Sequence, residues 1–285
     1  MSCHKVVKAD AFTVRHAGDS KTPSENTAQM TTVAPSPRRL GATMRRDKWW
    51  VQPVAIVTAL TLFGIYSIVR SLMSKYYVIS AHGAHLQSPF FSPDLPGLFS
   101  FRAFRPWSLL VLWAPLGMRS TCYYYRKSYY RSFFLAPPSC AVAGVARRKY
   151  TGETRFPFVL NNLHRFFFYL AALVVLFLWI DAVRGFFYHG DVGIGLGNVI
   201  MVVNVVCLSG FTFGCNSWRH IIGGKMNCFD CSAMARTRHK AWQKVSILNG
   251  HHQFWAWISM FTVGLTDLYI WLVSSGAFHD PHHVF

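Results

Sequence analysis

Five blocks of apolar sequence, at roughly 50–73, 107–124, 158–182, 193–216 and 250–275, constrain this chain more than anything else in it. A helix rises 1.5 Å per residue, so about 20 apolar residues cross the ~30 Å hydrocarbon layer of a bilayer. No water reaches backbone N–H and C=O groups inside that layer, and a helix satisfies them within one segment. The expected fold class is therefore all-α: an integral membrane bundle of five transmembrane helices. The second block is the weakest, because Pro115 and Arg119 interrupt it. Arg119 lies near its end, where a long cationic side chain reaches the headgroups. The helix is then expected to run on through CYYYRKSYYRSFF until Pro137 and Pro138 stop it.

Charge patterning gives the orientation. Charged residues are 14% of the 285 and hydrophobic ones 52%, against about 25% charged in a soluble domain. A net charge of +18 would suggest nucleic acid if it covered a soluble surface. Here the cations sit in polar segments between apolar blocks, so membrane topology accounts for them and no nucleic-acid partner is expected. Lys and Arg number nine in 1–48, eight in 119–156 and six in 217–246, whereas the opposite side carries Lys75, Arg102, Arg105 and Arg184. Cations accumulate on the cytoplasmic side. The N-terminus is thus expected in the cytoplasm and, after five crossings, the C-terminus outside.

Residues 1–48 show no secretory signal and read as a disordered basic cytoplasmic tail. Residues 49–285 read as the five-helix membrane anchor domain. The stretch GIGLGNV, with Gly193, Gly195 and Gly197, opens an apolar helix with no strand expected before it. It signals close helix packing rather than a dinucleotide loop. A transporter would need polar residues spread across the midplane, and Asn198, Asn204 and Ser209 are few.

The chemistry-bearing residues gather at one depth. Of seven cysteines, none falls in an external loop, so no disulfide framework is expected. Cys122, Cys140, His164, Cys215, His220 and His252 all lie at the cytoplasmic ends of the second to fifth blocks. Thiolates and imidazoles at one level of a bundle are what an iron–sulfur or haem site needs. Cys207 lies among Val and Leu and reads as packing. Cys228 and Cys231 form a C-x2-C pair with His239 beyond, but without the second close pair of a zinc site, so their use reads as structural or incidental.

Two stacked haems would need imidazoles in the outer half of the spans, and none is there. One inner haem b, or a 2Fe–2S cluster held by two Cys and two His, remains. Imidazole ligation raises the potential of such a cluster toward that of a quinone. Asp181 and Asp267, toward the outer ends of their helices, read as interfacial groups or as a proton path. Arg165 is placed to meet a quinone carbonyl or a headgroup. In STCYYYRKSYY, Tyr124 and Arg126 belong to an interfacial aromatic belt that also walls a quinone pocket.

Four motifs carry a resemblance: TCYYYRKSYYRSFFLAPPSCAV (121–142), YTGETRFPFVLNNLHRFFFY (150–169), GCNSWRHIIGG (214–224) and GLTDLYIWLVSSGAF (264–278). From about residue 46 onward the chain resembles the membrane-anchor subunit of succinate dehydrogenases of actinobacteria and related bacteria. The resemblance implies one five-helix chain in the inner (plasma) membrane. It implies flavoprotein and iron–sulfur partner subunits docked on the cytoplasmic face, a higher oligomer of the complex, and electrons passed from succinate oxidation to menaquinone. Succinate itself is not expected to bind here. The family also implies a Rieske-type 2Fe–2S cluster, with Cys122, Cys140, His164, Cys215, His220 and His252 as the pool of ligands. The chain departs from the pattern at Trp218, where relatives often carry a further cysteine.

Overall fold

The computed structural model describes residues 39–81, 84–93, 108–145, 153–156, 158–188 and 191–284. Its helices are α1 (Val51–Met73), α2 (Ser108–Thr121), α3 (Tyr123–Ser132), α4 (His164–Arg184), α5 (Leu196–Phe213), α6 (Asn216–Gly223), α7 (Ala233–Gly250) and α8 (His252–Ser274). A 3₁₀ helix, Phe158–Leu163, leads into α4. Four helices, α1, α4 with its 3₁₀ lead-in, α5 and α8, are each long and apolar enough to cross a membrane. The expected second span is the exception. Helix α2 has 14 residues with Pro115 inside it, or ~21 Å of rise, and residues 94–107 before it lie outside the described residues.

The helices alternate in direction between two levels. At one level the start of α1 (Gln52, Pro53) faces Tyr124 and Gln253 across a cleft. At the other, Ser108 Oγ at the start of α2 donates to Ser71 O near the end of α1 (3.4 Å). Asn198 in the first turn of α5 donates to Gly185 O, just past α4 (2.7 Å), and its Oδ1 accepts from Gly195 N (3.0 Å). Asn198 is therefore a helix cap rather than a midplane polar group.

Two expectations are corrected. The chain is mostly helical but not all-α. Strands β1 (Val78–Ala81) and β2 (Ala84–Gln87) pair antiparallel, as do β3 (Phe187–Tyr188), β4 (Asp191–Gly195) and β5 (His282–Val284). Interhelical connections must also pair their backbone groups, and these do so as short ladders. A strand, β4, thus takes in Gly193 and Gly195 and leads directly into α5. Its antiparallel pairing has no parallel crossover, so a dinucleotide fold is still excluded. Gly197 serves close approach: a Cβ there would run into Leu86 and lie 3.2 Å from the Tyr269 ring.

The second correction is at Cys122. The helix does not run on, because Cys122 adopts an extended conformation (φ −65°, ψ 131°) that separates α2 from α3. Part of the expected tail is also ordered. Residues 41–45 strap the segment after α3, with Gly41 N donating to Ala143 O (2.8 Å), Ala143 N to Ala42 O (2.9 Å) and Thr43 Oγ1 to Ala141 O (2.9 Å). Residues 1–38 of that tail, with Cys3, lie outside the described residues.

Helix α1 fully buries only Pro53, Arg70 and Ser71; Ala59, Leu60 and Phe63 pack against the core, while Val54, Leu62, Ile65, Ile68 and Leu72 are exposed. One ion pair fixes it. Arg70 and Asp267, 1% and 0% exposed, meet through Nε–Oδ2 at 2.7 Å and Nη2–Oδ1 at 3.1 Å. Tyr66 OH and Ser88 Oγ each add a donor at 2.5 Å. Four donors on one carboxylate leave no lone pair waiting for a proton, so the arrangement is that of a clamp joining α1, α8 and the segment after β2. Breaking a buried pair on one side strands a charge, at a cost of about 3–5 kcal/mol. Asp267→Leu is expected to lower the thermal stability of the detergent-solubilised protein by that order, and adding Arg70→Met to recover most of the loss.

Candidate functional site

Four helix ends meet at the level opposite the Arg70–Asp267 clamp. Helix α2 ends at Thr121 and α5 at Phe213, and each is followed by a cysteine in extended conformation: Cys122 before α3, and Cys215 (φ −67°, ψ 145°) before α6. Helices α4 and α8 start at the same level with His164 and His252. The side chains converge: His164 Nε2 lies 3.1 Å from Cys215 Sγ, and His252 Nε2 lies 3.7 Å from Cys122 Sγ. Cys122 and Cys215 are free thiols, 1% and 2% exposed. Each sits at a helix N-terminus within apolar surroundings. Cys215 Sγ also accepts from Ser217 N (3.4 Å).

The hydrogen-bond network assigns one imidazole tautomer. Thr121 Oγ1 has a single proton and donates it to Gly117 O (2.6 Å), yet it lies 2.9 Å from His164 Nδ1. The hydroxyl oxygen therefore accepts from Nδ1–H. The lone pair of His164 is left on Nε2, the nitrogen that faces Cys215. On His252, buried to 2%, Nδ1 has no hydrogen-bond partner. Phe211 stacks on the His252 ring at 5.0 Å and 16°. Met118, Phe168, Ala256 and Met260 close the surroundings with apolar surface. Among the described residues, no group of three or more His, Cys, Asp or Glu side chains is arranged as a site for a single metal ion.

A cleft of ≈ 90 Å³ opens beside this cluster, lined by Gln52, Pro53 and Ile56 of α1, Tyr124, Lys127, Ser128, Arg131 and Ser132 of α3, Pro138 and Gln253. Tyr124 joins the two features, because its ring lies 5.5 Å from that of His252.

The sequence of residues 51–276 matches the family model described as "Actinobacterial succinate dehydrogenase subunit SdhC". The chain belongs to that family. Among solved structures it is similar to a chain of the "Mycobacterium smegmatis Sdh1 complex in the apo form", with 40% identity and a TM-score of 0.74 over 86% of this chain and 96% of that one. No curated protein matches. The chain is accordingly a membrane-anchor subunit of a succinate dehydrogenase, a multi-pass protein of the inner membrane whose partners are the flavoprotein and iron–sulfur subunits.

Of the six sequence-derived candidates for ligands, four come together and two do not. His220 is exposed on α6. Cys140 follows the Pro137–Pro138 turn, is bonded in a disulfide, and offers its backbone O to Arg45 Nη1 (2.9 Å). The expectation of no disulfides is corrected there and at Cys228–Cys231, whose Cα atoms lie 5.9 Å apart in the turn before α7. Arg165 is exposed, donating from Nε to Tyr169 OH (3.2 Å). Arg126 pairs with Glu153 and lies 5.6 Å from the Tyr123 ring; neither arginine lines the cleft. Asp181 accepts from Ser92 Oγ. Trp218 packs its ring on Phe168 (6.0 Å) and Phe213 (5.5 Å).

Thr121, Phe211 and the inward turn of Arg119 had no signal in the sequence beyond their closeness to Cys122 and Cys215. Arg70 had one, a charge inside an apolar block. Thiol labelling checks this placement. Cys228 and Cys231 are expected to react with a maleimide after mild reductant and without unfolding, whereas Cys122 and Cys215 are expected to react only once the protein is denatured.

Proposed function

We propose that this SdhC-family subunit relays electrons from the iron–sulfur partner to menaquinone through a Rieske-type 2Fe–2S centre held by Cys122, His164, Cys215 and His252. The observation that carries this reading is the convergence of two buried free thiols and two imidazoles from four different helix ends. The donor set fits the group. A Rieske-type cluster takes two Cys and two His, and takes them as one pair on each of two irons rather than as three or four groups on one ion. The partnerless Nδ1 of His252 and the Nε2 lone pair of His164 supply nitrogen donors. When bound, such a centre accepts and releases one electron at a potential raised by its imidazole ligands.

The chain's own residues do the rest. Thr121 holds the His164 ring and Phe211 holds that of His252. The apolar wall of Met118, Phe168 and Met260 excludes water. Tyr124 stands between His252 and the cleft. Lys127, Gln52 and Gln253 line that cleft with donors able to polarise a quinone carbonyl. A volume of ≈ 90 Å³ is below that of a whole-ligand pocket, so only the quinone ring would enter while its tail lies along α1. On this reading all five of α1, α2, α4, α5 and α8 cross the membrane and the cluster level is cytoplasmic. The N-terminus is then inside and the C-terminus outside, and Arg236, Lys240 and Lys244 of exposed α7 face the soluble subunits. A haem b site is the weaker alternative, since both imidazoles face thiols rather than each other.

Low-temperature EPR of the dithionite-reduced complex, with iron analysis, tests this. A rhombic Rieske-type signal is expected, lost with its iron in Cys122→Ser, Cys215→Ser, His164→Ala and His252→Ala but kept in Cys140→Ser and His220→Ala. Thr121→Val removes the partner of His164 and is expected to weaken iron retention by about 10–100-fold. Soret and α bands in place of that signal, or full iron in all four ligand variants, would sink the proposal.

A further inference from the structure

Arg119 does not reach for headgroups as the sequence suggests. It lies three residues before Cys122, and its guanidinium turns into the bundle. Nη1 donates to Tyr125 OH (2.5 Å) and Ala256 O (3.0 Å), and Nη2 donates to Ser259 Oγ (3.1 Å). Its Cζ lies 4.8 Å from the centroid of Phe211, and the same ring stacks on His252 at 5.0 Å. Every one of these acceptors is neutral. The ion pairs among the described residues are Arg45–Asp47, Arg70–Asp267 and Arg126–Glu153, so Arg119 sits inside the bundle with no carboxylate partner there. Arg119 is half-buried, and a cation even partly withdrawn from water without a counter-charge is costly. On the reading given under Proposed function, the negative groups at this level are the Cys122 and Cys215 sulfurs when they hold the centre.

We infer that Arg119 is a potential-setting residue: its fixed positive charge favours the electron-bearing state of the centre held by Cys122, His164, Cys215 and His252. This rests on the reading given under Proposed function. One electron accepted from the iron–sulfur partner makes the four-ligand site one unit more negative, and the same electron leaves for the quinone. A fixed cation stabilises the more negative state. It acts through space, beside Phe211. For charges on the order of 10 Å apart at an effective dielectric near 20, the shift is on the order of tenfold in a one-electron equilibrium, or ~59 mV.

The test is an EPR-monitored redox titration of the purified complex, with iron content measured alongside. Arg119→Met is expected to keep iron and signal but to lower the reduced-to-oxidised ratio at a given potential by about tenfold. Arg119→Lys, which keeps the charge, is expected to restore it. Should Arg119→Met fail to assemble, Ser259→Asp places a carboxylate against the retained guanidinium and is expected to lower the midpoint in the same direction. An unchanged midpoint in Arg119→Met, or in Ser259→Asp where that variant is used, would overturn the inference. So would an equal shift in Arg119→Lys and Arg119→Met, which would mark a packing effect. Absence of a rhombic signal from the wild-type complex would instead overturn the cluster reading, and this inference with it.

Discussion

A helix in lipid satisfies its own backbone everywhere except at its ends, and the structure of this chain is organised by where those ends lie. Two levels take all of them. At one, caps such as Asn198 and the short antiparallel ladders pair the loose groups. At the other, two helices break at cysteines and two begin at histidines. A thiol at a helix N-terminus meets N–H groups that have no carbonyl to pair with. The constraint that sets the length of a membrane helix therefore also prepares the site at its end.

The two levels are stabilised differently. The level of Arg70–Asp267 is held by that closed, fully donated ion pair, which joins a loosely packed α1 to α8. The opposite level is held by aromatic and thioether packing around groups that are only partly paired, with the Nδ1 of His252 left without a partner. A satisfied network rigidifies, whereas a buried unpaired group leaves hydrogen-bonding capacity open. That contrast separates a clamp from a site, although both bury ionisable side chains and both look alike as charges in apolar sequence.

The apolar blocks made the helical bundle legible because their period and length are local properties. They also made the level of Cys122, His164, Cys215 and His252 legible, since distance from the end of a block is depth. What they left out was rotation and turning. His220 shares the depth of its neighbours but is exposed on α6. Cys140 shares it too, but the chain has already turned away at Pro137–Pro138 toward Arg45. The break at Cys122 and the short ladders between helices were invisible, because neither departs from the surrounding composition.

By itself the sequence determined that this chain lies in a membrane, that it does so through apolar helices, and the depth at which four of its thiols and imidazoles gather. Those follow from hydrophobicity and rise per residue, which need no partner. Only the tertiary structure decided which four of six candidate ligands meet and which nitrogen of His164 faces inward, and that Arg119 points at Phe211 rather than at the lipid headgroups. Each of these depends on the angle at which one helix presents its face to another, and that angle is set by packing between residues far apart in the chain.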